Sequence, residues 1–220
     1  GSIAEAGADE AVRVIVLRSE GDKAFCAGAS FDELTAIASE ADGLEFFNGF
    51  ALVINAIRTA PCLVLGRVQG KAVGGGVGLA AAVDVCYAHE SASLRLSELA
   101  IGIGPFVVGP AVERKVGTAA FSLLSTTPAA WRTAEWARGH GLYAECFTTV
   151  EALDAAVDAH ARELAGYSRE AMAKLKHMLW RGTGDWGRLL PERAAISGRL
   201  VLSDFTREAI AEFKRKAAGK

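Results

Sequence analysis

The chain has 220 residues, 51% hydrophobic and 23% charged, with a formal net charge of −2. These figures fit a soluble globular protein with a sizeable core. No basic surplus points to nucleic acid, and the longest apolar stretch, Val73–Val83, is too short to span a bilayer. Cys26, Cys62, Cys86 and Cys146 form no Cys-x-x-Cys pair and have no His at zinc-ligand spacing, which predicts free thiols, no metal and a reducing, cytoplasmic setting. No signal peptide is read at the N-terminus.

Taken in chain order, "VRVIVLRS" (Val12–Ser19) is continuous and β-branched and reads as a buried strand. In "EGDKAFCAGASFDEL", Gly21-Asp22 marks a turn and Gly28 a tight bend, with helix from Phe31. Residues 43–59 show apolar positions at helical spacing, stopped by Pro61. "CLVLGRVQG" (Cys62–Gly70) reads as a second strand, and Val77–Ala82 as a small-residue helix. Asp84–Glu90 is a third strand, and the alternation in Ala92–Glu98 predicts a fourth. Asp84 and Glu90, which flank the third strand, read as turn or surface residues.

From Pro110 the pattern is helical through "PAVERKVGTAAFSLLS" and "TPAAWRTAEWARGHG". A short strand, Leu142–Phe147, precedes an amphipathic helix capped by Thr148 or Thr149. "SREAMAKLKHMLWRG" and the stretch from "LPERAA" onward predict further helices, and the basic end "KRKAAGK" reads as a solvated tail. A strand-rich first half thus gives way to a helical second half.

The most informative stretch is "GKAVGGGVGLAAAVD" (Gly70–Asp84), where three glycines join a strand to a helix. Such a junction exposes backbone N–H groups at a helix start, and without Cβ atoms a ligand can lie against the peptide. Phosphate or a developing oxyanion would suit it. The Walker spacing fails, because "GRVQGKA" is one residue short and Ala72 follows the Lys. The dinucleotide fingerprint fails at Leu79, where its third glycine belongs. An oxyanion site needs two donors, and "FCAGASFDEL" supplies a second strand end that meets a glycine and a helix start.

Three segments in this order, "AFCAGASFDEL", "GKAVGGGVGLAAAVDVCYA" and "LSELAIGIGP", resemble the crotonase, or enoyl-CoA hydratase/isomerase, superfamily. The resemblance implies an α/β fold, a crotonase-like spiral of ββα units with a helical C-terminal region. On that basis residues 1–140 are expected to form the spiral core, lacking an N-terminal family segment that carries a strand and part of the CoA-binding surface. Residues 141–220 are expected to cover the site and make subunit contacts. It further implies homotrimers or homohexamers, an acyl-CoA substrate, and no cofactor besides the coenzyme A carried by that substrate.

Position by position, the family's two oxyanion donors fall on the backbone N–H groups of Ala29 and Gly75. Ala27, Gly28, Gly74, Gly76, Gly78 and Phe106 fall at substrate-binding positions. Hydratases of the family carry two glutamates flanking a water. The second matches Glu98; the first position holds Gly78. One carboxylate can remove a proton from an acyl carbon and return it at another, so the single glutamate favours Δ3-to-Δ2 double-bond isomerisation. Water addition across the 2,3 double bond is the alternative, and a non-catalytic acyl-CoA-binding or scaffold protein is the alternative of another class. A serine peptidase on this fold is disfavoured, since Ser97 has no His at a persuasive place. His89, His140, His160 and His177 read as structural or solvated.

Overall fold

The computed structural model describes residues 2–218. Helix α1 (Ser2–Ala8), to which no sequence signal pointed, leads into β1 (Val14–Arg18) and β2 (Ala24–Cys26). Then follow α2 (Phe31–Ala36), α3 (Glu40–Thr59), β3 (Leu63–Val68), β4 (Lys71–Val73) and α4 (Gly75–Ala82). Strands β5 (Val85–His89) and β6 (Ser93–Arg95) precede a 3-10 turn, Glu98–Ile101, and α5 (Gly109–Thr126). The remainder is β7 (Arg132–Thr133), α6 (Ala134–Gly139), β8 (Glu145–Phe147), α7 (Val150–Ala165), α8 (Arg169–Leu179), α9 (Trp186–Leu200) and α10 (Asp204–Ala218).

Strands β1 to β6 alternate between two sheets. One four-stranded sheet has the order β1-β3-β5-β8, all parallel, and the other the order β2-β4-β6-β7, parallel except for β6 against β7. Each of the first three turns gives one strand to each sheet before a helix carries the chain onward, and in the last turn α6 separates β7 from β8; this is the ββα spiral implied by the resemblance. Strand β3 lies between β1 and β5, and all six of its residues are buried, so its near-continuous apolar run needs no polar alternation. The exception, Arg67, is 4% exposed and pairs at 2.6 Å with Asp154 on α7.

The expected strand Cys62–Gly70 ends at Val68, and a separate strand of the second sheet begins at Lys71. The chain changes sheet at Gly70, where a Cβ would lie 1.8 Å from the Lys23 carbonyl oxygen. The expected strand Ala92–Glu98 is shorter, because Glu98 opens the 3-10 turn. Residues 127–133, expected to be helical, hold β7 instead, and α6 begins after Thr133, whose side chain accepts the Trp136 N–H.

Helix α3 starts with a capping box in which Ser39 and Asp42 satisfy each other's amides, and it packs along α9. The two backbones meet at Gly43 and Gly198: a Cβ on Gly43 would lie 2.6 Å from Gly198 Cα. Gly43→Ala is therefore expected to force the helices apart and cost about 2 kcal/mol, measurable as a lower midpoint in chemical denaturation. No helix among the described residues is long and apolar enough to cross a membrane. Lys214, in the basic end read as a solvated tail, pairs with Asp32 at 2.7 Å, while Gly219 and Lys220 of that end lie outside the described residues.

Candidate active site

Strands β2, β4 and β6 lie side by side and parallel, so their C-terminal ends emerge at one edge of the sheet. That topology alone brings together the three segments singled out in the sequence. After β2 the chain passes through Ala27, Gly28 and Ala29. Gly28 has φ 85°, and a Cβ there would sit 3.0 Å from the Val73 carbonyl oxygen. Only glycine suits both the left-handed backbone and the close approach. Ser30 then caps α2 by accepting the Asp32 N–H at 3.2 Å.

After β4, Gly74 adopts φ 53°, ψ −114° and receives the first bonds of α4, from Val77 N–H at 2.9 Å and Gly78 N–H at 3.2 Å. Gly75 stands in the first turn of that helix, where an amide has no intrahelical acceptor. Neither the Ala29 nor the Gly75 amide donates to another described residue. Both residues line one cavity of about 320 Å³.

After β6 the 3-10 turn holds Glu98, closed by Gly102 at φ 78° and by the Ile103 N–H on the Glu98 carbonyl at 3.0 Å. The Gly74 N–H donates to the Arg95 carbonyl at 3.0 Å, tying the second and third segments together. The Glu98 carboxylate lies against Gly74, with Oε1 3.1 Å from where a Cβ would stand. Its Oε2 is shut off from solvent and has no hydrogen-bond partner. Burial pushes the Glu98 carboxyl up to about 7, against the lowering pull of the Glu98 and Ser97 amides. Among the described residues lining the cavity, Glu98 is the sole carboxylate, and no histidine is present.

The sequence-derived residues divide in two. Ala27, Gly28, Ala29, Gly74, Gly75, Glu98 and Phe106 line the cavity. Gly76 and Gly78 stand behind its wall. A Cβ on Gly76 would lie 2.6 Å from the Cys26 carbonyl oxygen, and one on Gly78 would lie 2.4 Å from Val108 Cγ1. Those two glycines let α4 pack against β2 and against the start of α5. Phe47, Phe50, Ile101 and Ile103 escaped the sequence reading. Phe47 and Phe50, at i and i+3 on α3, both line the cavity, and the Phe50 ring covers the Gly75 face. Val107, Val108, Ile101 and Ile103 complete an apolar lining. Arg95 also lines the cavity, with its guanidinium 4.6 Å from the Trp131 ring centroid.

The histidines lie elsewhere: His160 bonds the Tyr87 hydroxyl at 2.9 Å, and His140 stacks on Trp136. Asp84, expected in a turn or on the surface, is buried. It accepts the Val64 N–H and the Trp180 indole N–H, both at 2.7 Å, and pairs with Lys176 at 3.0 Å.

An apolar cavity with one buried acid, set where three parallel strands end on a two-sheet ββα spiral, defines a class. The enoyl-CoA hydratase/isomerase family model matches residues 2–210, and the chain belongs to that family. It is 38% identical over 97 residues to the human mitochondrial methylglutaconyl-CoA hydratase, a match covering 44% of this chain and 28% of that protein. It is 32% identical over 132 residues to the bacillaene synthase dehydratase of Bacillus subtilis, covering 57% of this chain and 49% of the relative. The matched part thus spans less than half of these curated relatives. An enoyl-CoA hydratase crystal structure from Mycobacterium avium superposes with a TM-score of 0.84 at 27% identity, over 97% of this chain and 81% of the other. One from Bacillus halodurans reaches 0.86 at 20% identity, over 96% and 87%, a likeness of fold.

Proposed function

We propose that the chain acts on an enoyl-CoA thioester and moves its double bond from the 3,4 to the 2,3 position. The thioester oxygen lies between the N–H groups of Ala29 and Gly75. Ionised Glu98 takes a proton from C2, and the electron pair left behind spreads into the thioester carbonyl and the 3,4 double bond. Charge builds on the oxygen, where each amide donor contributes roughly 3 kcal/mol to transition-state stabilisation. Glu98 then returns its proton at C4, which leaves the 2,3 double bond and regenerates the carboxylate. No atom is gained or lost.

The observation that carries this reading is the solitary carboxylate among the described residues lining the cavity, its carboxyl pushed up to about 7 by burial. A group that must hold and release the same proton in one turnover works best when both forms are accessible near neutral pH. Its place inside the cavity favours catalysis over mere binding of acyl-CoA. Hydration is the second reading, favoured by the name of the human relative. The deciding assay offers 3-enoyl-CoA and 2-enoyl-CoA separately. Conversion of the first to the second, with little 3-hydroxyacyl-CoA from either, is expected. Rapid water addition without migration of the double bond would replace the isomerase by a hydratase.

A further inference from the structure

Between the cavity and Gly78 stands the side chain of Val108. Val108 lines the cavity, yet it is only 5% exposed, and Gly78 behind it does not reach the cavity at all. A Cβ on Gly78 would meet Val108 Cγ1 at 2.4 Å and Cβ at 2.6 Å, well inside van der Waals contact. Val108 is held where it is. The Gly109 N–H donates to the Pro105 carbonyl at 2.8 Å, and the Val108 carbonyl accepts the Val112 N–H at 3.1 Å as α5 begins. The valine cannot withdraw without unwinding that first turn.

We infer that Val108 is the specificity-determining residue that denies this site a second acid and its water, by occupying the space above Gly78. The inference rests on the single-acid reading of Glu98. The family resemblance places the first acid of a two-carboxylate hydratase at position 78, and here such a side chain would collide with Val108 at its first carbon. A bound water needs two to four polar partners, and this wall offers the methyl groups of Val108 beside Val107 and Phe106. The glycine at 78 and the valine at 108 therefore act as one unit. The small residue admits the large one, and the large one keeps water away from the acyl carbons while Glu98 moves its proton.

The test is a set of variants, Gly78→Ala, Gly78→Glu, Val108→Ala and the doubles G78A/V108A and G78E/V108A. Each is assayed for Tm and for the ratio of 3-hydroxyacyl-CoA to isomerised product. Gly78→Ala is expected to lower Tm, and G78A/V108A to recover most of the loss. Gly78→Glu alone is expected to lower Tm with no gain in hydration. G78E/V108A is expected to raise the hydration ratio about 100-fold over the wild type, the lower end of the range for one acid–base group. The inference is overturned by an unchanged Tm in Gly78→Ala, by a folded G78E/V108A with the wild-type ratio, or by Gly78→Glu hydrating as well as the double. Should G78E/V108A not fold, the G78A/V108A pair decides: recovery of Tm supports the contact, and its absence overturns it. The wild type's own products test the single-acid reading separately. A wild type that isomerises beside an inert double refutes only the role of Val108.

Discussion

Glu98→Gln is expected to lower kcat for isomerisation on the order of 10³-fold, with a much smaller change in KM, and yet to leave a protein that is harder to unfold above neutral pH. The amide keeps the size of the carboxyl but cannot take the proton from C2. The oxyanion amides are untouched, so thioester binding should survive. In the wild type, kcat/KM is expected to rise with pH and level off above about 7, because the ionised carboxylate starts the cycle and burial holds its titration there. The stability effect has the opposite slope. Glu98 titrates at 4.5 when unperturbed and at about 7 in the fold, so the folded state holds this proton more tightly than the unfolded chain. Below the unfolded value both states are protonated and nothing is lost. As pH climbs from the unfolded value through the folded one, a penalty of up to about 3 kcal/mol develops, and above that it stays constant. Gln carries no such penalty. The Tm of Glu98→Gln should match the wild type near pH 4 and exceed it at pH 8. A variant with full activity, or one with no Tm advantage at pH 8, would remove Glu98 from the site as described.

This pairing of lost activity with gained stability is the mark of a group placed against its own folding preference. Its Oε2 accepts no hydrogen bond from a described residue, in a cavity whose lining is mostly apolar. The fold tolerates the cost because the three strand ends around it are fixed by backbone bonds, such as Gly74 N–H to the Arg95 carbonyl, which do not depend on the carboxylate.

What could be read from the sequence follows the range of the forces involved. Gly28 and Gly74 were legible because positive φ is a local demand that leaves glycine behind in the chain. The buried run of β3 is local in the same sense. The sheet change at Gly70 was not legible, because the atom forbidding a side chain there belongs to Lys23. The short strand Arg132–Thr133 was hidden within an apparent helical stretch, since its pairing partners, Ser93 and Leu94, lie far back in the chain. The wall above Gly78 is likewise a meeting of distant positions. Glu98 itself became a candidate only through the order of three segments, and the reason they meet is the adjacency of β2, β4 and β6.

Asp84→Ala is expected to destabilise the protein by about 4 kcal/mol, a fall in Tm of roughly 10 °C for a chain of this size. Asp84 was read as a turn or surface residue, but its carboxylate ties β3 to α8 through three groups. It receives the Val64 amide from β3, the Trp180 indole from the end of α8 and the Lys176 ammonium from within α8. Lys176 is 2% exposed, and its remaining recorded bond is to the Cys62 carbonyl at 2.9 Å. Burial already draws the Lys176 pKa down, opposed by the charge of Asp84. Removing that charge leaves a buried cation to be neutralised or solvated, and the unfolded chain then binds its proton more tightly than the fold does. The deficit of Asp84→Ala should therefore shrink as pH rises and Lys176 sheds its proton. It should also shrink in D84A/K176M, where a flexible apolar side chain replaces the ammonium and no unpaired charge remains. Urea denaturation at pH 6 and pH 9 separates these effects. A deficit that ignores both pH and the Lys176 substitution would mean that Asp84 acts through its two neutral donors alone, and that the ion pair contributes nothing to holding α8 against β3.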